Sequence, residues 1–176
     1  MEEFIRDNAM AAAILGTFAM AWFGWAQDRP PKGKLWPALL GVGSGVSLIL
    51  ASIGGFVAWQ NWNSPSALSE GGFSGYIWIF IVELVLIAIA AISLLIAHKR
   101  HYIPTVVGTI VGVHFYLLAP IFQDAGLYIL ATVTTIGALY PLFVAKRWKV
   151  PLETLTCVSV AIALFIFATR GLLLAL

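Results

Sequence analysis

The sequence is short of charge: 10% of its 176 residues are Asp, Glu, Lys or Arg, against about a quarter in a soluble domain. That shortage excludes a water-facing globule, because a chain of this length leaves much of its surface exposed and 61% of the residues are hydrophobic. A nucleic-acid partner is excluded too, since formal net charge is +2 and no run of Lys or Arg forms a basic patch. Cysteine is nearly absent, and the single Cys157 rules out an intramolecular disulfide. The motifs of hydrolytic chemistry are missing: no HExxH, no nucleophile elbow, no Ser/His/Asp set. No catalytic residue, metal site or cofactor is expected. Positive charge is also missing from the start, "MEEFIRDN", where a cleavable signal would carry it. The first apolar segment is therefore expected to stay as a membrane helix.

What the chain has instead is long apolar runs, with a mean hydropathy of +0.95. The segments 8–26, 35–58, 76–97, 103–122, 125–145 and 151–175 each reach the roughly 20 apolar residues that cross about 30 Å of hydrocarbon. Pro37, Pro104 and Pro151 sit in or near first turns, where a missing N–H does no harm. The expected fold is all-α: a polytopic membrane protein, one compact bundle of six transmembrane helices over 1–176 with no extramembrane domain.

Orientation follows from the basic residues. Arg29, Lys32, Lys34, Lys99, Arg100, Lys146, Arg147 and Lys149 fall in the loops after helices one, three and five. The other side holds only Arg6 and Arg170, so both termini are expected on the non-cytoplasmic side. Trp22, Trp25, Trp36, Tyr102 and Trp148 mark one boundary, and Trp59, Trp62, Tyr76 and Trp78 mark the other. The long connection "WQNWNSPSALSEGGFSG" then lies outside. It is either a flexible surface loop, the commoner case, or a lid over an outward-facing cavity. No internal repeat aligns the two halves.

An ionisable side chain in hydrocarbon costs about 2.5–3.5 kcal/mol on insertion scales, so each one asks for a partner or a task. Glu83 lies roughly 10 Å inside the outer boundary, counted from Tyr76. His114 lies near the midplane, and Arg170 near the outer end of the last helix. A Glu–His or Glu–Arg pair among them would offset each group's desolvation. The functional reading is a proton relay or a ligand site, with histidine shuttling near neutral pH. The structural reading is a packing lock, or an arginine snorkelling to head groups.

Helical spacing sorts the remaining polar and small residues. Gly41 with Gly45, and Gly108 with Gly112, are GxxxG pairs that allow close helix packing within or between chains. His114 points away from the Gly108–Gly112 stripe, onto the face with Val107, Ile110 and Leu117. Thr156 and Ser159 share a face with Ala163 and Arg170, which suits cavity lining or, more commonly, helix contact. Thr132, Thr134 and Thr135 can bond back to their own helix. His98 and His101 are too far from His114 to share an ion and lack acidic or thiolate help, so they are expected to be interfacial anchors.

The stretch His114-Phe115-Tyr116-Leu117-Leu118-Ala119-Pro120-Ile121-Phe122, followed by "LYILATVTTIGAL", resembles small multi-pass bacterial membrane proteins of unknown function with an "HFLPLA"-like segment. The resemblance implies a bacterial six-helix protein, placed in the cytoplasmic membrane, and carries over no site residue. The expected function is transport or permeation of a small solute or ion, proton-linked through Glu83 and His114. The alternative is a non-transporting subunit, sensor or assembly partner whose polar residues only specify packing. The expected partners are the lipid bilayer and a second copy met through the glycine-rich faces.

Overall fold

The computed structural model describes residues 4–33, 35–70 and 72–176, and among these no strand occurs. The α-helices are α1 (Ile5–Trp25), α2 (Leu35–Gln60), α3 (Gly72–Ile96), α4 (Ile103–Ile121), α5 (Gly126–Leu139), α6 (Pro141–Trp148) and α7 (Leu152–Ala175). Five of them, α1 to α4 and α7, are long and apolar enough to cross a membrane, or six spans result if the bent pair α5 and α6 counts as one. Helices of this kind make a multi-pass membrane protein.

The expected unbroken helix over 125–145 is corrected. α5 and α6 meet at a 44° bend where Tyr140 gives way to Pro141. Proline has no N–H to continue the ladder, and its ring collides with the carbonyl four residues back. The chain therefore turns at Pro141, whereas Pro120 is carried in the last turn of α4. Elsewhere helices close on left-handed residues: His98 (φ 55°), Gln123 (φ 53°) and Lys149 (φ 56°) end α3, α4 and α6 and let the chain turn away.

The two ends of the bundle differ. At one end the Arg29 guanidinium donates to Glu153 Oε1 at 3.1 Å, and the Thr154 hydroxyl donates to the Arg29 carbonyl. The Thr105 and Thr156 hydroxyls meet at 3.2 Å, which sets the starts of α4 and α7 side by side. This is the basic end. Lys34, counted among the basic residues, lies outside the described residues, as do the first three of the acidic start. At the opposite end the first and last helices meet: a methyl group on Gly171 would sit 2.8 Å from the Asn8 carbonyl oxygen.

α1 runs between α2 and α7 and packs on both. Its alanines explain why, since Ala9, Ala12 and Ala19 are fully buried and let backbones approach without a side chain between them. The closest approaches to α2 use Gly54, where a methyl would lie 2.8 Å from Ala13 N, and Gly16, where it would lie 3.0 Å from Ala51 N. A second group forms from α4 and α5, brought together at Gly112, whose methyl would lie 2.7 Å from Thr135 N. Gly108 faces Ala138 and Val160 at 3.0 and 3.1 Å in the same sense. Gly41 and Gly45 do not pack within the chain: a methyl on either meets nothing within 4 Å. They stand on the outward face of α2 beside the exposed Val42, Val46 and Ile49.

α3 is the outlying helix. It leans on α4, and Glu83 is the one buried residue along its length. The rest is apolar on every side, as expected of a helix that borders lipid nearly all round.

The two glycine pairs should therefore answer differently to alanine. Gly112→Ala forces α4 from α5 and is expected to lower stability by about 1–3 kcal/mol in reversible unfolding from mixed micelles. Gly45→Ala relieves a flexible helical residue and should leave stability unchanged or raise it by up to ~1 kcal/mol. Equal losses at both positions would contradict this packing.

Candidate functional site

Between α1 on one side and α3 and α4 on the other lies a cavity of about 900 Å³. It exists because α1 packs toward α2 and α7 while α3 leans on α4, so α1 and α3 do not pack on each other. Leu164 of α7 contributes to the wall between the two groups. At the basic end the lining includes Trp22 and Trp25, whose rings stand 5.3 Å apart. Trp22 is buried and lines the cavity.

At the opposite end the cavity is roofed by the α2–α3 connection, with Trp62, Ser66 and Leu68 in its lining. Two side chains at the start of α1 hold that roof. Arg6 Nη1 donates to the Trp62 carbonyl at 2.8 Å, with its guanidinium carbon 5.7 Å from the Trp62 ring centroid. Asp7 Oδ2 accepts from the Ala67 amide at 2.8 Å. The connection is therefore folded onto the bundle, not a loose surface loop. Nothing in its Ser- and Gly-rich composition signalled this, because the restraint comes from α1.

Glu83 and His114 meet. Glu83 Oε1 lies 3.0 Å from His114 Nδ1, with the side chains 9% and 15% exposed. The same Nδ1 lies 2.7 Å from the Val111 carbonyl oxygen. A nitrogen facing two acceptors carries the hydrogen, so Nδ1 donates to both and Nε2 is the ring nitrogen left uncommitted. Neither Nε2 nor Glu83 Oε2 has a hydrogen-bond partner among the described residues, and neither is sealed in the interior. Both residues line the cavity. Ile79 and Ile87 flank Glu83 one turn away on α3, so the carboxylate can find its partner only on a neighbouring helix.

Arg170 lines the same cavity at the roofed end but does not pair with Glu83. Its partner is Asp124, by a two-pronged contact of 2.7 Å (Nη1 to Oδ2) and 2.9 Å (Nη2 to Oδ1). Asp124 Oδ1 also accepts from the Gly126 amide at 2.8 Å, capping the start of α5. Sequence reasoning passed over Asp124 as a loop residue. The available signal was an Asp just ahead of a helix, in a loop at the same end as Arg170.

Thr156 and Ser159 do not line the cavity. Thr156 is fully buried against Thr105. Ser159 bonds back to Leu155 O at 2.9 Å, and its Cβ lies 3.3 Å from where a methyl on Gly137 would stand. Their stripe is a helix contact with α4 and α5. Of the α5 threonines, Thr132 does bond back, to Tyr128 O at 2.8 Å, and it accepts from the Tyr116 hydroxyl at 2.7 Å. Thr134 and Thr135 do not: their buried hydroxyls have no partner among the described residues, an omission worth about 1–3 kcal/mol each when such a group is stranded. Among the described residues, no three His, Cys, Asp or Glu side chains are placed to share a metal ion. Cys157 is buried.

Comparison with protein-family models, with curated proteins and with solved structures finds no match for the chain.

The pair makes a definite energetic prediction. Removing His114 strands a carboxyl group in an apolar wall, whereas removing Glu83 leaves an imidazole that can stay neutral. His114→Ala should thus destabilise more than Glu83→Gln in mixed-micelle unfolding. The double variant should show a coupling of about 1–3 kcal/mol. Strict additivity would mean that the two side chains do not interact.

Proposed function

We propose that the chain is a six-span protein of the bacterial cytoplasmic membrane and carries a small solute through this cavity in a proton-linked step. The observation that supports this best is that Glu83, His114 and Arg170, which come from three different apolar helices, all line one cavity. Costly groups from α3, α4 and α7 brought to one wall are what a working site requires. Apolar walls favour a molecule with its own apolar surface over a hydrated ion.

The six-span count rests on length. α5 has 14 residues, about 21 Å at 1.5 Å per residue, which is short of about 30 Å of hydrocarbon. α6 completes the crossing and brings Lys146 and Arg147 to the boundary. With the basic end facing the cytoplasm, both termini and the roof lie on the other side. Proton linkage is supported by the pair itself, a carboxylate and an imidazole in contact on the cavity wall.

A second reading, a non-transporting subunit or assembly partner, has support from one surface. Gly41 and Gly45 are open on an exposed apolar face of α2, where a second copy or another membrane protein would find close approach.

In proteoliposomes carrying a trapped pH dye, solute addition under an imposed pH gradient should give a proton flux. Glu83→Gln and His114→Ala should abolish it or shift its pH dependence, and Gly45→Ala should not. Flux that both site variants leave unchanged would remove Glu83 and His114 from the mechanism.

A further inference from the structure

We infer that the cavity takes an uncharged lipid alcohol, admitted sideways from the bilayer between α1 and α3, whose hydroxyl is held by His114 and Glu83. The inference deepens the reading of this cavity as a ligand site but does not require that the ligand be moved.

The entrance is lateral. Ile14 and Phe18 on α1 and Phe80 and Leu84 on α3 line the cavity, yet they are also exposed to the surroundings, Phe18 by 51% and Leu84 by 49%. A side chain that faces both cavity and outside forms the lip of an opening. These four lie along the middle of their helices, at hydrocarbon depth. Access along the bundle axis is obstructed instead, by the roof that Arg6 and Asp7 hold down and by Trp22 and Trp25 at the basic end. What enters must come from lipid, and so must be lipophilic.

Charge disfavours an ionic head group. Glu83 and His114 neutralise one another when both are ionised. The other ionised groups on the wall stand in opposite-sign couples, Arg170 with Asp124 and Arg6 with Asp7. A carboxylate at the depth of Glu83 finds no surplus counter-charge in either state of the imidazole, and an ammonium finds none while the imidazole is protonated. Competition by hexadecylamine equal to that of hexadecanol would mean that an amine, not an alcohol, is the occupant.

Hydrogen bonding selects the hydroxyl. Nδ1 is committed as a donor to Val111 O and Glu83 Oε1. With the imidazole neutral, Nε2 is an acceptor and Glu83 Oε2 is an acceptor, so the ligand must donate. With the imidazole protonated, Nε2–H is a donor beside that acceptor, so the ligand must accept and donate at once. A hydroxyl satisfies both states; a ketone or ester carbonyl can only accept and so satisfies neither in full, and an alkane offers no hydrogen bond. The volume of about 900 Å³ lies in the range of small-molecule pockets, roughly 300–1,000 Å³.

The test uses the full chain in phosphatidylcholine nanodiscs and a long-chain alcohol carrying a photoreactive diazirine and an alkyne tag. Irradiation followed by peptide mapping should place the label on Ile14–Phe18 and Phe80–Leu84. Excess hexadecanol should reduce that labelling about tenfold, while hexadecane, palmitate and hexadecylamine should not. The double variant Glu83→Leu/His114→Phe, checked for native elution and thermal unfolding, should lose the protection by hexadecanol. The competition series on the unaltered protein decides the matter even if that variant misfolds. Labelling spread equally over the outward face of α2, or equal competition by palmitate or hexadecane, would overturn the inference and mean that ordinary acyl chains fill the groove. Specific labelling without solute-linked proton flux would sink the transport reading and leave this one standing. Flux without specific labelling would do the reverse.

Discussion

The contact between Glu83 and His114 is the constraint from which the cavity follows. α3 offers the bundle one buried residue, and that residue is a carboxylate. An apolar helix in lipid gains little from turning any particular face inward, because lipid tails solvate Leu and Ile as well as other helices do. A carboxylate removes that freedom, since only one rotation brings it 3.0 Å from the imidazole on α4. Tyr76 against Phe122, with ring centroids 5.9 Å apart, fixes the same helix near the roof. Held there, α3 stands off from α1, and the gap between them is the cavity.

The remainder of the bundle works by different physics. α1, α2 and α7 associate through Ala and Gly at backbone distance, with Gly54 and Gly16 at the α2 contact and Gly171 at the α7 contact. No ion pair is needed along that seam. Charge is used at the ends, where Arg29 with Glu153 ties the basic loops to α7 and Asp124 with Arg170 ties the α4–α5 turn to the end of the same helix. The result is a molecule pinned at both ends, close-packed on one side and open at mid-depth on the other. The unpartnered hydroxyls of Thr134 and Thr135 sit in the α4–α5–α7 seam. The structure gives no protein group that explains them.

Hydropathy made the helices legible, and their bounds differ from those expected by only a few residues, because the periodic apolar runs of α1 to α4 and α7 have no competing interpretation. The interruption at Pro141 was legible in principle but was masked by the apolar residues that continue past it. Glu83 and His114 were legible as costly groups; their meeting was not, since it depends on the rotation of two helices that sequence leaves undetermined. Arg170 was assigned by depth alone, and depth could not see Asp124 waiting in a turn. The glycine pairs show the limit most plainly. Gly41–Gly45 and Gly108–Gly112 share one motif, yet one faces outward and the other meets the backbone of Thr135. Which face of a helix is turned inward is a property of the whole bundle.

The most direct test of this account is the distance between the two side chains in a lipid bilayer. Dipolar recoupling by solid-state NMR, with Glu83 labelled at the carboxyl carbon and His114 at Nδ1, reads that contact without perturbing it. A strong carbon–nitrogen coupling is expected, as a 3.0 Å nitrogen–oxygen contact demands. Absence of coupling would mean that α3 is not held by this pair, and that the wall of the cavity has been misplaced.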